Sequence, residues 1–273
     1  MSQNSGTPLN ILVLVKHVPD VQFERHLSAP ENRLDRADSV LSELDEYAIE
    51  AALALAESRG GDKAGNTVTT LTMGPSAAVN AVKKSLQMGA TSGVHICDPA
   101  LAGSDAITTS MVLAAAVQSL GGFDIVLTGM ASTDAETSLV PASLAERLGL
   151  AMLTNLSTLE LAPGSTTITG VREAEEGAQS LEAPLPVLIS VTDQANEPRY
   201  PNFRGILGAK KKKIVTLTLE ELGLDAAAVG AEGSATRVVS AQARPPRSGG
   251  EIITDSGSAG IALVDFLTDA KLL

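Results

Sequence analysis

"NILVLVKHVPD", residues Asn10 to Asp20, carries the decision about the fold. From Ile11 to Val15 the side chains are apolar without alternation, and the run breaks at Pro19. A strand that is apolar on both faces has to be covered on both faces, as a parallel strand between two layers of helices is. The next stretch changes period. In "SELDEYAIEAALALAESRG" Leu44, Tyr47, Ala48, Ala51 and Leu55 recur at helical spacing, Ser42 stands where an N-cap is expected, and Gly60-Gly61 ends the pattern.

Outward from there the same grammar repeats. "NTVTTLTMGP" predicts a strand from Thr67 to Met73, and "SAAVNAVKKSLQMGA" a helix with Ser76 as cap and Gly89 as stop. "SGVHICDP" predicts a third strand, followed by the helix "SDAITTSMVLAAAVQSLGG" with Ser104 as cap. "FDIVLTGM" and "LVPASLAERLGL" form the fourth pair. Strands alternating with helices imply right-handed crossovers and an α/β fold: an open parallel sheet flanked by helices, Rossmann-like. Beyond residue 150 the pattern shifts. "STLELAPGSTTITGVRE" predicts a β-hairpin insertion around Pro163-Gly164, and Val187 to Val191 and Ile214 to Leu217 read as further strands. "AAAVGAEGSATRVVSAQARPPRSGGE" reads as an extended C-terminal arm, and "GIALVDFLTDAKLL" as a short amphipathic helix whose Leu263, Phe266 and Leu267 need a surface to cover them. The expected organisation is an α/β domain over 1–193, a distinct loop and lysine run over 194–213, and a strand, arm and helix over 214–273.

Composition narrows the function. The 273 residues carry a formal net charge of −12, which argues against nucleic acid as the main partner. Aromatic residues are 2% of the chain, so the core has to be built from Leu, Val, Ile and Ala. No run of about 18 apolar residues predicts a membrane span, and the polar start "MSQNSGTPLN" does not read as a secretion signal, so the cytoplasm is the expected compartment. Cys97 is the only cysteine and there are three histidines, which excludes an intrachain disulfide and a cysteine-rich zinc site.

In an open parallel sheet, ligands bind at the carboxyl ends of the strands. "VKHVPD", "TMGPS" and "TGMASTDAETSL" are the ends that stand out. The last, Thr128 to Leu139, runs into a helix with hydroxyls and backbone N–H groups that suit a phosphate, or that simply cap the helix. Lys16 reads as a phosphate contact or as a surface lysine, and "MGPS" as a ligand contact or a plain turn. His17 has no nucleophile beside it and reads as structural or exposed, and Cys97 reads as buried filler. There is no nucleophile elbow, no P-loop and no G-x-G-x-x-G after the first strand.

"VKHVPD", "LDEYAIEAAL", "TMGP" and "NEPRYPNFRGILGAKKKK", in that order, resemble the β subunit of the electron transfer flavoproteins, from about Asn10 to the terminal helix. The resemblance implies a fold of adenine-nucleotide-binding type and a heterodimer with an α subunit. It implies a redox FAD held mainly by that α subunit, and a structural AMP in the β core. It implies an electron carrier, not an enzyme, which takes electrons from acyl-CoA dehydrogenases and related flavoprotein dehydrogenases in fatty acid β-oxidation and passes them to a quinone oxidoreductase or other acceptor. Alternatives are a bifurcating member with a second FAD in place of AMP, and a nucleotide-binding signalling module of the same fold. Carried across by position, nucleotide contacts fall at Leu14, Lys16, Ser42, Leu44, Asp45, Met73, Gly129, Ser132, Thr133, Asp134, Thr137, Ser138, Leu139 and Val140. Leu139 stands where the family usually has Gln. Partner contacts fall at Asn196, Glu197, Pro198, Arg199, Phe203, Lys210 and Lys211, with Phe203 as the protruding anchor. The lysine run reads either as a steering patch around that anchor or as a solvated edge beside the strand at Ile214.

Overall fold

A computed structural model describes residues 7–28, 31–242, 244–246, 249–250, 252 and 254–273. In chain order its elements are β1 (Asn10–Leu14), β2 (His17–Pro19), β3 (Leu27–Ser28), β4 (Arg33–Leu34), β5 (Ser39–Leu41), α1 (Glu43–Ser58), β6 (Thr67–Met73), α2 (Val79–Met88), β7 (Ser92–Ile96), α3 (Ala106–Leu120), β8 (Ile125–Gly129), α4 (Val140–Leu148), β9 (Ala151–Glu160), β10 (Thr167–Ala174), β11 (Gly177–Pro184), β12 (Val187–Val191), α5 (Phe203–Ala209), β13 (Ile214–Leu217), α6 (Gly230–Gly233) and α7 (Ala259–Asp269).

Nine strands form one sheet in the order β11-β10-β9-β12-β8-β1-β6-β7-β13. From β9 to β13 every neighbour is parallel, and β10 and β11 are antiparallel. The unbroken apolar run of β1 now has its reason. Ile11 and Val13 face the core that α1 and α2 cover, while Leu12 and Leu14 face the core that α3 and α4 cover. One strand therefore feeds two cores by alternation alone, and each fully buried side chain contributes about 2 kcal/mol of transfer free energy.

From β1 the chain builds outward through β6 and β7, then returns across β1 to β8. Strand order thus reverses between β1 and β8, and the crevice outside their carboxyl ends is where such sheets take ligands. Two short ribbons, β2 with β5 and β3 with β4, lie in the connection from β1 to α1.

The structure departs from the sequence reading in several places. Asp105, not Ser104, caps α3: its carboxylate accepts from the Thr108 amide at 2.9 Å. Ser104 instead donates to the Leu101 carbonyl and accepts from the Gly230 amide at 2.9 Å. Ser76 caps nothing, because a 3₁₀ turn over Ser76–Ala78 precedes α2. Ser42 occupies the N-cap position of α1 but makes no capping bond with its side chain. The expected hairpin is a three-stranded meander, since "GAQSLEAP" adds β11 as a mostly exposed edge strand. The arm begins later than expected, because Thr236 is still held by Asp105 through its amide and hydroxyl at 2.9 and 3.0 Å.

Val239–Leu273 form a second compact unit. Its α7 buries none of its residues, and Ile261, Leu263, Val264 and Phe266 are all exposed. Among the described residues no helix is long and apolar enough to cross a membrane.

Candidate functional site

The crevice is closed by bonds between the exit of β1 and the entry of α1. The Lys16 amide donates to Asp45 Oδ2 at 2.7 Å, and the Ser42 amide donates to the Lys16 carbonyl at 2.9 Å. Gly129, the last residue of β8, has to be glycine: a Cβ there would lie 2.8 Å from both Asp45 Oδ1 and the Leu44 carbonyl oxygen. The two strand ends and the N-terminus of α1 thus meet at backbone contact distance.

Two carboxylates in this crevice are driven in opposite directions. Asp45 is buried, and burial pushes its pKa up to about 7 against the hydrogen bonds from the Lys16 and Gly129 amides. Asp134 is also desolvated, which by itself raises its pKa. The charge of Lys16 outweighs this, aided by hydrogen bonds from Lys16, Arg36 and Ser132, and the carboxyl falls to about 2. Lys16 Nζ reaches Asp134 Oδ1 at 2.8 Å and Ser132 Oγ at 3.2 Å, and Arg36 Nη2 pairs with Asp134 Oδ2. Arg36 Nη1 also donates to the His17 carbonyl at 2.9 Å. Two cations on one ionised carboxylate leave the Lys16–Arg36–Asp134 cluster with a net positive charge.

Unpaired hydroxyls lie on the same elements. Among the described residues, Ser42 Oγ and Thr133 Oγ1 are buried without a hydrogen-bond partner. A buried polar group left unpaired costs roughly 1–3 kcal/mol, so two at one crevice point to a polar ligand. The loop between β8 and α4 adds strained backbone: Glu136 and Ser138 have φ of 50° and 49°, left-handed for residues other than glycine. Leu139, at the N-cap of α4, offers no capping group, so the amides of that first turn are free of side-chain partners. A net cationic cluster, free helix amides and unpaired hydroxyls form a donor set whose chemistry suits a phosphate and a ribose.

Of the other expected contacts, Leu14 is buried in the core, and Met73, Leu44 and Val140 are half-buried at the rim. Thr137, Ser138 and Leu139 are exposed on the loop. Arg36 was not anticipated. "ENRLDRADSV" has no periodicity to mark it, and only the β2–β5 pairing brings it over Asp134. His17 is buried, and burial lowers its pKa.

The stretch from Asn196 to Lys213 is split in its roles. Asn196 Nδ2 donates to the Tyr47 carbonyl at 2.9 Å. Arg199 forks onto Glu50 and Glu57 of α1, with Nε to Glu50 Oε2 at 2.7 Å and Nη1 to Glu57 Oε1 at 2.6 Å. Both residues were expected at the partner face and are engaged within the chain. Residues 203–209, read as loop, form α5, capped by Asn202, whose Oδ1 accepts from the Gly205 amide at 2.8 Å. Tyr200 and Phe203 stand out at 91% and 75% exposed. In the lysine run Lys212 turns inward onto the carbonyls of Leu86, Gly89 and Ala90, while Lys210, Lys211 and Lys213 are exposed.

Residues 33–222 match the electron transfer flavoprotein domain family. The chain is also 43% identical, over 266 residues, to the electron transfer flavoprotein subunit beta of Mycobacterium leprae, a match that spans 97% of this chain and 99% of that one. The chain belongs to the electron transfer flavoprotein β-subunit family. More distant relatives also align over nearly their full length. That of Megasphaera elsdenii is 34% identical, with 94% and 96% of the two chains covered. The caffeyl-CoA reductase-Etf complex subunit CarD of Acetobacterium woodii is 31% identical, with 90% and 92% covered. Family membership brings electron transfer as the general activity.

Proposed function

We propose that this electron transfer flavoprotein β chain works in the cytoplasm as half of a heterodimeric electron carrier. Its α subunit holds most of a redox FAD, and the β crevice holds AMP. The carrier accepts electrons from acyl-CoA dehydrogenases and delivers them to a quinone oxidoreductase. The observation that carries the nucleotide reading is the pair of buried, unpartnered hydroxyls, Ser42 Oγ and Thr133 Oγ1, beside the net positive Lys16–Arg36–Asp134 cluster. In this reading Lys16 and Arg36 share the ligand's phosphate charge with Asp134, and the free amides of the first turn of α4 hydrogen-bond its oxygens. Ser42 and Thr133 donate to the ribose.

FAD, when bound, supplies the ring that takes up and releases the electrons. The β chain performs no bond-making step. It closes one wall of the flavin-bearing dimer and presents Tyr200, Phe203 and the exposed lysines to the donor. An exposed aromatic on a short capped helix is a suitable interface anchor, because its burial on docking contributes most where water is fully expelled.

Co-expression with its α subunit, followed by denaturation and chromatography of the released nucleotides, tests this. One FAD and one AMP per heterodimer are expected. Two FAD and no AMP would replace this reading with the bifurcating one, and a dimer that retains no adenine nucleotide in the β crevice would overturn the assignment of the site.

A further inference from the structure

The helix α5 presents an apolar edge. Phe203, Ile206 and Leu207 lie at helical spacing and are 75%, 40% and 47% exposed, and the helix buries none of its own residues. A seven-residue helix does not persist by itself in water. Its own apolar packing is limited, with Ala209 half-buried against the core, so what flanks the helix also fixes its orientation.

Both flanks are tied down by a cation directed inward. On the leading side, Arg199 donates to Glu50 through its amide, Nε and Nη2, at 3.1, 2.7 and 2.8 Å, and to Glu57 through Nη1 and Nη2, at 2.6 and 3.0 Å. Glu50 and Glu57 lie two turns apart on α1, so the planar fork spans them both. Hydrogen bonding to Arg199 lowers the pKa of Glu57, which keeps the pair ionised. On the trailing side, Lys212 Nζ directs its three N–H donors at the carboxyl end of α2: Leu86, Gly89 and Ala90 carbonyls at 3.2, 3.1 and 2.6 Å. Between the two, α5 meets α2 at backbone distance, since a Cβ on Gly205 would come within 2.4 Å of the Gln87 carbonyl oxygen.

We propose that Arg199 and Lys212 are positioning residues that clamp the two ends of the α5 segment to α1 and α2, so that Phe203 is held ready for the donor protein before the encounter. This rests on the docking role given to Phe203 above. A flexible segment would have to be ordered at each encounter, and a clamped one has already been ordered on folding. The clamp also explains why one lysine of four is turned inward: it anchors the segment, and its exposed neighbours lie free at the surface.

The test uses the assembled heterodimer and an acyl-CoA dehydrogenase with its substrate. It compares the KM for the carrier and kcat of donor-driven reduction with the rate of flavin reduction by dithionite, which needs no docking. Arg199→Met and Lys212→Met are each expected to raise KM about tenfold, the size of ordering one or two side chains. Dithionite reduction is expected to stay at the wild-type rate, and Arg199→Lys to fall between. In a Phe203→Ala background the same substitutions are expected to change KM little further, because there is no longer an anchor to position. Unchanged KM in both single variants, or a full tenfold effect persisting without Phe203, overturns the clamp. If Phe203→Ala itself leaves KM unchanged, it is the docking role that fails, and the clamp with it. Should Arg199→Met not assemble, Glu57→Gln removes only the outer carboxylate and carries the same comparison.

Discussion

Two regions of this molecule gather cations around carboxylates, and they do so with opposite outcomes. At the β1–β8 crevice, Lys16 and Arg36 converge on one carboxylate, Asp134, whose side chain is 2% exposed. At the α5 segment one cation, Arg199, is shared by two carboxylates, Glu50 and Glu57. The first arrangement leaves positive charge over, next to hydroxyls without partners. The second leaves negative charge over and uses four of the five guanidinium N–H donors of Arg199. An excess of cation over a buried anion prepares a place for an anionic ligand, whereas a cation held by two carboxylates fastens one segment of the chain to another. The residue types are nearly the same; their stoichiometry and depth separate binding from holding.

One added methyl group in each region gives the sharpest contrast. Gly129→Ala drives a Cβ into the Leu44 carbonyl and Asp45, at the join of three core elements. It is expected to cost about 3 kcal/mol and to release bound nucleotide, measured by chemical denaturation and by nucleotide content after purification. Asp134→Asn comes next. It leaves Lys16 and Arg36 facing each other, and because both are about one-third exposed the expected loss is about 2 kcal/mol, less than for a fully buried pair. Asp134 has a folded-state pKa of about 2, below its ordinary value, so its stabilisation is complete above the usual carboxylate range and is lost as pH falls toward 2. The Asn variant should lack that acid-limb loss.

Asp45 gives the reverse slope. Its folded pKa of about 7 lies above the unfolded value, so the native state binds the proton more tightly and the group's contribution declines as pH rises from about 4 through 7. Asp45→Asn should therefore flatten the decline of stability between pH 5 and 8. A variant profile that tracks the wild type would remove Asp45 as the cause. Gly205→Ala is the counterpart of Gly129→Ala in the other region. Its Cβ meets the Gln87 carbonyl, but α5 buries none of its residues and is displaced without opening the core, so global stability is expected to change by less than about 1 kcal/mol while donor-driven reduction slows. An equal loss of stability in the two glycine variants would erase the contrast. The smallest effect is expected for Lys210→Gln with Lys211→Gln: an association rate with the donor lower by about twofold at low salt and unchanged at high salt.

Much of this was legible in the chain. Thr67–Met73, Val187–Val191 and Ile214–Leu217 are strands at the boundaries their composition implies, because each is a dense apolar or β-branched run between breakers. The strand β11 was not, since an edge strand with most residues exposed has no apolar alternation to read. The cap of α3 was misplaced by one residue because "SD" offers two capping side chains, and only the path of the 225–236 segment decides that Ser104 serves Gly230 while Asp105 serves the helix. For the site, Lys16, Ser42, Asp45 and Asp134 lie at strand ends and a helix start, where topology predicts ligands. Arg36 lies in a ribbon with no such signal.

The amino-acid sequence alone determined the alternation of strands and helices, the two-sided burial of β1, and so the sheet. These follow from periodicity and burial, which are local properties of a chain. The tertiary structure decided which charges pair: that Arg36 reaches across to Asp134, that Arg199 turns toward α1, and that Lys212 alone of four lysines faces inward. Pairing of that kind depends on distances between residues up to 149 positions apart, and such distances exist only once the core has packed.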